Sequence, residues 1–541
     1  MLPVGVYMAV REPFNGPKPD RGLGGPPRCL PSQPHRLFPT PYTMECIVTL
    51  EADLLAAYPA DLEIPAGLVA RLLADSNAAV PRVLVVLDDD PTGTQSVADL
   101  PVLTRWEVED FTWAFGQGKP AVYVLTNTRS LDPAEAAARN EEVVRNALTA
   151  AGSPNTLRLG FVSRSDSTLR GHFPVEPDVI AATVAEVSGE QTDGVVLVPA
   201  FPDAGRLTIG GVHYMRGTGD AAGTLVPVSE TEFAKDASFG FSTSVMANYI
   251  AEKSQGRFPA DSVIVLDLNI IRAGASAQDP AISAKAIADA IEPASGSTPI
   301  VADIVTENDL RALALGLEEA ERRGKKLLCR VGPPFVRGRI GQEVRTALTA
   351  EEAYAGNTPS EAGGLIVVGS HVGLTTRQLN VLTAEHSSAR IIEIDVEKLL
   401  GDEAAADAHL DQTVDAVVEA LRAGDVIVHT SRLLIKTDDP VESLRIARTV
   451  SAAVVDVVNR TLKTFPPRFV IAKGGITSSD VAAHGLEIRH AIVRGPMLPG
   501  IVSLWEPVDG PAKGIPYIVF AGNVGDDHSL AGVTRKLSAT F

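Results

Sequence analysis

From Pro81 onward the chain alternates short, mostly β-branched apolar runs with longer Ala- and charge-rich stretches of helical period. That alternation limits the fold more than any other feature. The runs 83–87, 121–125, 157–162, 194–198, 262–266, 365–368, 391–394, 426–429, 469–472 and 517–520 are largely apolar on both faces. Strands read this way when helices cover both sides of their sheet, so the expected class is α/β. Helix signals fall between the runs. Asp132, Pro133 and Glu135 give a capped start to a helix that Gly152 stops, and a weaker example runs from Thr306 to Gly324. Asp439, Pro440 and Glu442 repeat the device, with Leu444, Val454, Val458 and Leu462 on one helical face.

At 541 residues the chain is too long for one ordinary core. The small, polar, Gly- and Pro-broken stretch 349–364 marks the boundary. Two domains are therefore expected, 44–360 and 361–541, each with a largely parallel sheet flanked by helices. Residues 1–43 stand apart, holding ten of the 38 prolines and five Lys or Arg against two Asp or Glu. They are read as a disordered tail, or as a misassigned start with Met44 the initiator. Prolines and charges interrupt any apolar core that a secretory signal would need.

The whole chain carries a net charge of −19, which opposes partners that are themselves polyanions, namely nucleic acid and anionic membrane. Its apolar runs stop far short of the roughly 20 residues that span a bilayer. Three cysteines without a CxxC pair point to a reducing cytoplasm, with Cys329 a small buried hydrophobe. Scattered histidines show no HxH or HExxH spacing, so no zinc site is expected. Asp526, Asp527 and His528 read as an exposed acidic turn.

Chemistry gathers just past the strand ends, where ligands of parallel sheets bind. Asp88, Asp89 and Asp90 precede Pro91-Thr92-Gly93-Thr94-Gln95, and close carboxylates of this kind suit a general base or a metal. A second cluster runs Ser163-Arg164-Ser165-Asp166-Ser167-Thr168-Leu169-Arg170-Gly171-His172. Its hydroxyls, carboxylate and arginines match a polyhydroxylated, anionic small molecule, with Arg170 a candidate fork for a carboxylate. A third, Pro199 to Arg206, also follows a strand. In the second half, Gly369-Ser370-His371-Val372-Gly373 precedes a helix opening at Thr375. Lys473-Gly474-Gly475-Ile476-Thr477 likewise precedes one opening near Ser478. Strand, glycine turn and helix N-terminus present free N–H groups to phosphate, and Lys473 adds a point charge. Neither loop fits GxxxxGKS/T or GxGxxG.

In this order the motifs resemble the four-carbon acid sugar kinase family over roughly Pro81 to Gly525. The family's DDxTG element matches Asp89 to Gly93, its DSTLRG element Asp166 to Gly171, and its PAFP…GR element Pro199 to Pro202 with Gly205-Arg206. Thr231, Glu232 and Asp236 match a further Thr-Glu…Asp element. The family's KSGNFG loop reads Phe520-Ala521-Gly522-Asn523-Val524-Gly525 here, without the basic and hydroxyl side chains, and Arg164 stands where many members have lysine. The resemblance implies an N-terminal half that binds a sugar acid and a C-terminal half that binds ATP, with the active site in the cleft between them. On that basis Asp89 or Asp90 is the catalytic base or holds Mg²⁺, and Asp166, Ser167, Thr168, Arg170 and Arg206 bind the acid. Ser370, Gly474, Gly475, Ile476, Thr477 and Gly522 contact ATP. The implied activity is ATP-dependent phosphorylation of a tetronate-like acid by a cytoplasmic enzyme, for which a homodimer is allowed. Another ATP-dependent enzyme acting on such an acid, or a sugar-acid sensor without turnover, are the alternatives.

Overall fold

A computed structural model describes residues 49–431 and 440–541. The helix signals act as the sequence predicts. Asp132 accepts from the N–H groups of Ala134 and Glu135 at 2.9 Å, and the helix Pro133–Ala151 stops at Gly152, whose φ is 67°. Thr306 and Asp309 form a reciprocal cap on the helix Glu307–Arg322. In the helix Pro440–Thr464, Val454, Val458 and Leu462 share the buried face, whereas Asp439 lies outside the described residues and Leu444 outside the described side chains.

Instead of one sheet per half, a single sheet, of 15 strands among the described residues, runs through both. Its spatial order is Ile264–Leu266, Thr298–Ala302, Gly194–Val198, Leu327–Val331, Arg158–Arg164, Arg82–Asp88, Ala121–Leu125, Leu100–Leu103, His490–Leu498, Val502–Pro507, Tyr517–Phe520, Val470–Lys473, Leu365–Val368, Val426–Thr430 and Arg390–Ile394. The first eight strands are parallel, as are the last five, and the hairpin of 490–498 and 502–507 joins the two sets through three antiparallel pairings. Joining them leaves no unpaired edge at the seam. Three reversals point the two parallel sets in opposite directions. A twist of roughly 20–25° per strand over the six steps from 82–88 to 470–473 adds about 120–150° and turns their carboxyl ends toward one another. A smaller four-stranded sheet, Thr49–Leu50, Thr224–Pro227, Val212–Arg216 and Arg206–Ile209, belongs to the first half and carries Arg206.

Two helix starts differ from expectation. The helix after Lys473 begins at Gly475, not near Ser478, because Gly474 at φ 135° makes the whole turn in one residue. The helix after Ser370 begins at Gly373 rather than Thr375. Cys329 is buried as expected, and burial pushes its thiol up to about 11. No helix among the described residues is long and apolar enough to cross a membrane.

Candidate functional site

The carboxyl ends of both parallel sets open onto one cavity of about 480 Å³. From the first half, Asp90, Thr92, Arg129, Asp166, Ser167, Thr168, Arg170, Arg206 and Phe233 line it. From the second half come Ser370, Gly474, Gly475, Ile476, Thr477 and Gly522. Of the residues to which the resemblance assigns base, acid-binding or ATP-contacting roles, all line this cavity except Asp89.

The three adjacent aspartates divide their work. Asp88 closes the strand Arg82–Asp88 and pairs with Arg164, both fully buried. Asp89 is also buried, with one oxygen 2.7 Å and the other 3.1 Å from the Arg129 guanidinium. Asp90 stays extended ahead of Pro91, and one of its oxygens caps Thr92 N–H at 3.0 Å. Its side chain is 20% exposed against 2% for Asp89, so Asp90 is the aspartate of the three that meets the cavity. A Cβ placed on Gly475 would stand 3.2 Å from Asp90 Oδ2, which measures how closely this carboxylate approaches the glycine loop across the cavity.

Electrostatics follow from burial and pairing. Burial raises the Asp89 carboxyl to about 7, with the Arg129 fork pulling the other way. Burial works against the charge on Arg129, but Asp89, Asp90 and Asp166 outweigh it and hold the guanidinium firmly protonated. Asp166 resists its own burial through Arg129 and Arg170 and lies well below the usual carboxylate range. Arg170 donates from Nε to Asp166 at 2.6 Å and to the Thr168 hydroxyl at 3.1 Å, and it stacks over Phe233. Its nearest contact with Asp236 is 3.9 Å, while Phe233, not Glu232, is the side chain of that element in the wall. Arg206 differs in its ion pairing from Arg129, Arg164 and Arg170, the other arginines of the cavity. It makes no ion pair among the described residues, and its buried Nε has no hydrogen-bond partner.

The loops of the second half are knitted to one another. Gly369 and Ser370 donate N–H to the Lys473 carbonyl oxygen, and Gly474 N–H to that of Phe520. Thr375 Oγ1 donates to the Gly522 carbonyl at 2.7 Å, and Gln378 holds the carbonyls of Val524 and Asp526. The helix Gly373–Glu385 starts with no side-chain cap, leaving first-turn N–H groups for a ligand. Lys473 is not in the cavity wall: it is fully buried, and its Nζ goes to the Ala521 carbonyl. Asp526 and His528 form the exposed turn expected of them.

Sequence reading missed Arg129 and the support behind it. Arg330, buried between Glu176 and the Ser163 hydroxyl, braces the strand end beneath the Asp166 loop. Arg129 sits four residues past the strand Ala121–Leu125, and that position at a strand's carboxyl end was its one available signal.

Two family models match the chain. One, described as a sugar-binding N-terminal domain, covers residues 84–339, and the other, described as a nucleotide-binding C-terminal domain, covers residues 365–530. The chain belongs to the four-carbon acid sugar kinase family. It is 27% identical over 326 residues to a D-erythronate kinase of Heliobacterium modesticaldum, a match that takes in 59% of this chain and 64%, just under two thirds, of that relative. It is 26% identical over 392 residues to a D-threonate kinase of Cupriavidus necator, covering 69% of this chain and 80% of the relative. Among solved structures, a Salmonella typhimurium LT2 protein superposes with a TM-score of 0.59 at 16% identity, covering 85% of this chain and 99% of its own. A Haemophilus influenzae protein of the DUF1537 family superposes at 0.55, also at 16% identity, covering 84% and 100%. Both show the same fold.

Proposed function

We propose that this chain transfers the γ-phosphoryl group of ATP to a hydroxyl of a four-carbon sugar acid of the erythronate or threonate kind. Residues 44–360 serve the acid and 361–541 the nucleotide. The observation that carries the reading is the approach of Asp90 to Gly475, which sets a carboxylate of the sugar-binding half against a glycine loop of the nucleotide-binding half. Phosphoryl transfer asks mainly for positioning and charge stabilisation, and that juxtaposition supplies the first.

In this reading Arg206, the unpaired cation of the wall, takes the substrate carboxylate with its planar fork, aided by Arg170. Asp166, Ser167 and Thr168 receive the hydroxyls. Asp90 Oδ2 accepts the proton of the attacking hydroxyl, while Arg129 fixes the carboxylate's direction. Backbone N–H groups of Gly475 to Thr477 and Gly522 cradle the phosphates, while Ser370 and Gly474, whose own N–H groups are spent on the Lys473 and Phe520 carbonyls, shape the turns around them. The described residues offer no cluster of three His, Cys, Asp or Glu for a metal. A Mg²⁺ ion would come with the triphosphate, held by its phosphates and water and by one or two carboxylates, and would supply charge neutralisation. An ATP-using enzyme whose one described cysteine, Cys329, is free and buried suits the cytoplasm.

The test is ADP release from Mg-ATP in the presence of D-erythronate, D-threonate and a panel of three- to six-carbon acids, with the product weighed by mass spectrometry. A phosphorylated acid is expected. Absence of ADP release with every acid refutes the reading, and ADP without a phosphorylated acid assigns a different reaction.

A further inference from the structure

Lys473 ends its strand in register with Val368 on one side and Phe520 on the other, the residues from which the Ser370 and Gly522 loops depart. Its side chain is fully buried. Nζ donates to the Ala521 carbonyl oxygen at 2.6 Å and lies 3.9 Å from the centre of the Phe520 ring. Among the described residues no carboxylate and no second cation faces it from the strands or loops packed around it. Burial alone acts on its titration, lowering the ammonium to about 7. A buried lysine without a counter-ion is costly to keep, and the ammonium of this one meets Phe520 and Ala521, where the Gly522 loop leaves its strand. Phe520 and Ala521 also stand where the chain's own C-terminal loop lacks a basic and a hydroxyl side chain, and the neighbouring strand brings an ammonium to the same two residues.

We infer that Lys473 is a positioning residue whose charge is coupled to the nucleotide: it pins the 521–524 loop through the Ala521 carbonyl and takes up a proton when polyphosphate enters the cradle. The inference rests on the reading of these loops as the ATP site. An anion beside a buried amine favours its charged form, so binding raises its proton affinity. Below pH 7 the free protein already carries the charge and binds at full strength. Above pH 7 the proton must arrive with the nucleotide, and affinity falls by about tenfold per pH unit.

The experiment is calorimetric titration of the full chain with ADP at pH 8, where the nucleotide phosphates are already ionised, in two buffers of different ionisation enthalpy. Wild type, Lys473→Met and Lys473→Arg are compared. Wild type should take up close to one proton per ADP, and Lys473→Met none. Lys473→Arg, charged throughout, should bind tightly without uptake. KM for ATP should climb between pH 7 and 9 in wild type and stay flat in Lys473→Met, with KM for the sugar acid alike in both. A buffer-independent enthalpy in wild type overturns the inference, even if a variant fails to fold, and so does a Lys473→Met profile matching wild type. No binding of ADP at all together with no turnover instead refutes the ATP reading, leaving the two failures distinguishable.

Discussion

Replacing Arg129 with alanine tests whether the acid loop is organised as described. Arg129 is 18% exposed and holds both oxygens of Asp89, itself 2% exposed, at 2.7 and 3.1 Å. Removing one partner of a buried pair costs about 3–5 kcal/mol, because the other is left as an uncompensated charge. Here the charge has an exit, since Asp89 can protonate. Its folded-state carboxyl already sits above the unfolded value, near 7, with burial the largest cause and Arg129, Glu176 and Arg330 the charged neighbours. A carboxyl raised on folding favours the native state at low pH, and that contribution fades as pH rises through the folded value. In wild type the fading ends near pH 7, whereas in Arg129→Ala, without the guanidinium, it continues upward. At pH 6 the variant should therefore lose about 1–2 kcal/mol, the worth of the broken hydrogen bonds. From pH 7 to 9 the deficit should grow by up to about 1.4 kcal/mol per pH unit, and it should level off short of the full buried-pair penalty because Arg164 Nη1 still stands 3.4 Å from Asp89 Oδ1. Urea unfolding at pH 6, 7, 8 and 9 reads this directly, and Asp89→Asn in the Arg129→Ala background should abolish the slope. A deficit that is flat with pH, or an Asp89→Asn change that deepens it, would show that Asp89 is not the charge Arg129 neutralises.

The active-site assignments make sharper kinetic claims. Asp90→Asn should lower kcat by about 10²–10⁴-fold with KM for either substrate nearly unchanged, and an equal loss in Asp89→Asn alone would return the base to the buried aspartate. Arg206→Ala removes a charge-assisted contact worth about 1.5–3 kcal/mol, so KM for the sugar acid should rise about 10- to 150-fold while KM for ATP holds. Gly475→Ala sets a methyl 3.2 Å from Asp90 Oδ2. It should reduce kcat by more than about tenfold while shifting stability by less than about 1 kcal/mol, since alanine suits a helix start better than glycine does. Unaltered kcat would mean the two loops are farther apart in the working enzyme.

Much of this was legible because parallel sheets place chemistry at strand ends. Each cluster named from the sequence, Asp88 to Gln95, Ser163 to His172, Pro199 to Arg206, Gly369 to Gly373 and Lys473 to Thr477, follows a strand and lies at the same crest. What escaped notice were strands that break the rules for strands. Leu100–Leu103 holds Pro101, Thr298–Ala302 holds Pro299, and His490–Leu498 contains Gly495 and Pro496, with irregular register on either side. Pro101 is tolerated because strand 100–103 pairs with its parallel neighbour only at Val102 and Leu103. Two of these, 100–103 and 490–498, pair with each other at the seam that fuses the two halves, so the single sheet was hidden along with them. Lys473 was misjudged for a related reason. Val470–Lys473 is buried on both faces, and a strand with no solvent side gives no sign of which way its last residue points.

Charge is the other place where sequence and structure part. A net −19 suggests a protein that repels acids, and the remedy read from the sequence was a set of cations placed to attract one. Structure uses most of those cations otherwise: Arg164 answers Asp88, Arg170 answers Asp166 and Lys473 is buried behind the wall, while Arg129, which was not in that set, answers Asp89 and Asp90. Arg206 is left with its fork uncommitted. The wall is therefore close to neutral, a lattice of ion pairs around one guanidinium without a carboxylate partner, and not a basic patch. An acid without hydroxyls would meet a single cation and a rim of carboxylates that repel it. An acid that also offers hydroxyls to Asp90, Asp166 and Thr168 turns those carboxylates from repulsive to bonding. In the proposed reading, discrimination in such a site would fall to the hydroxyls of the substrate, and the paired aspartates that look like an obstacle to anion binding would be what makes it selective.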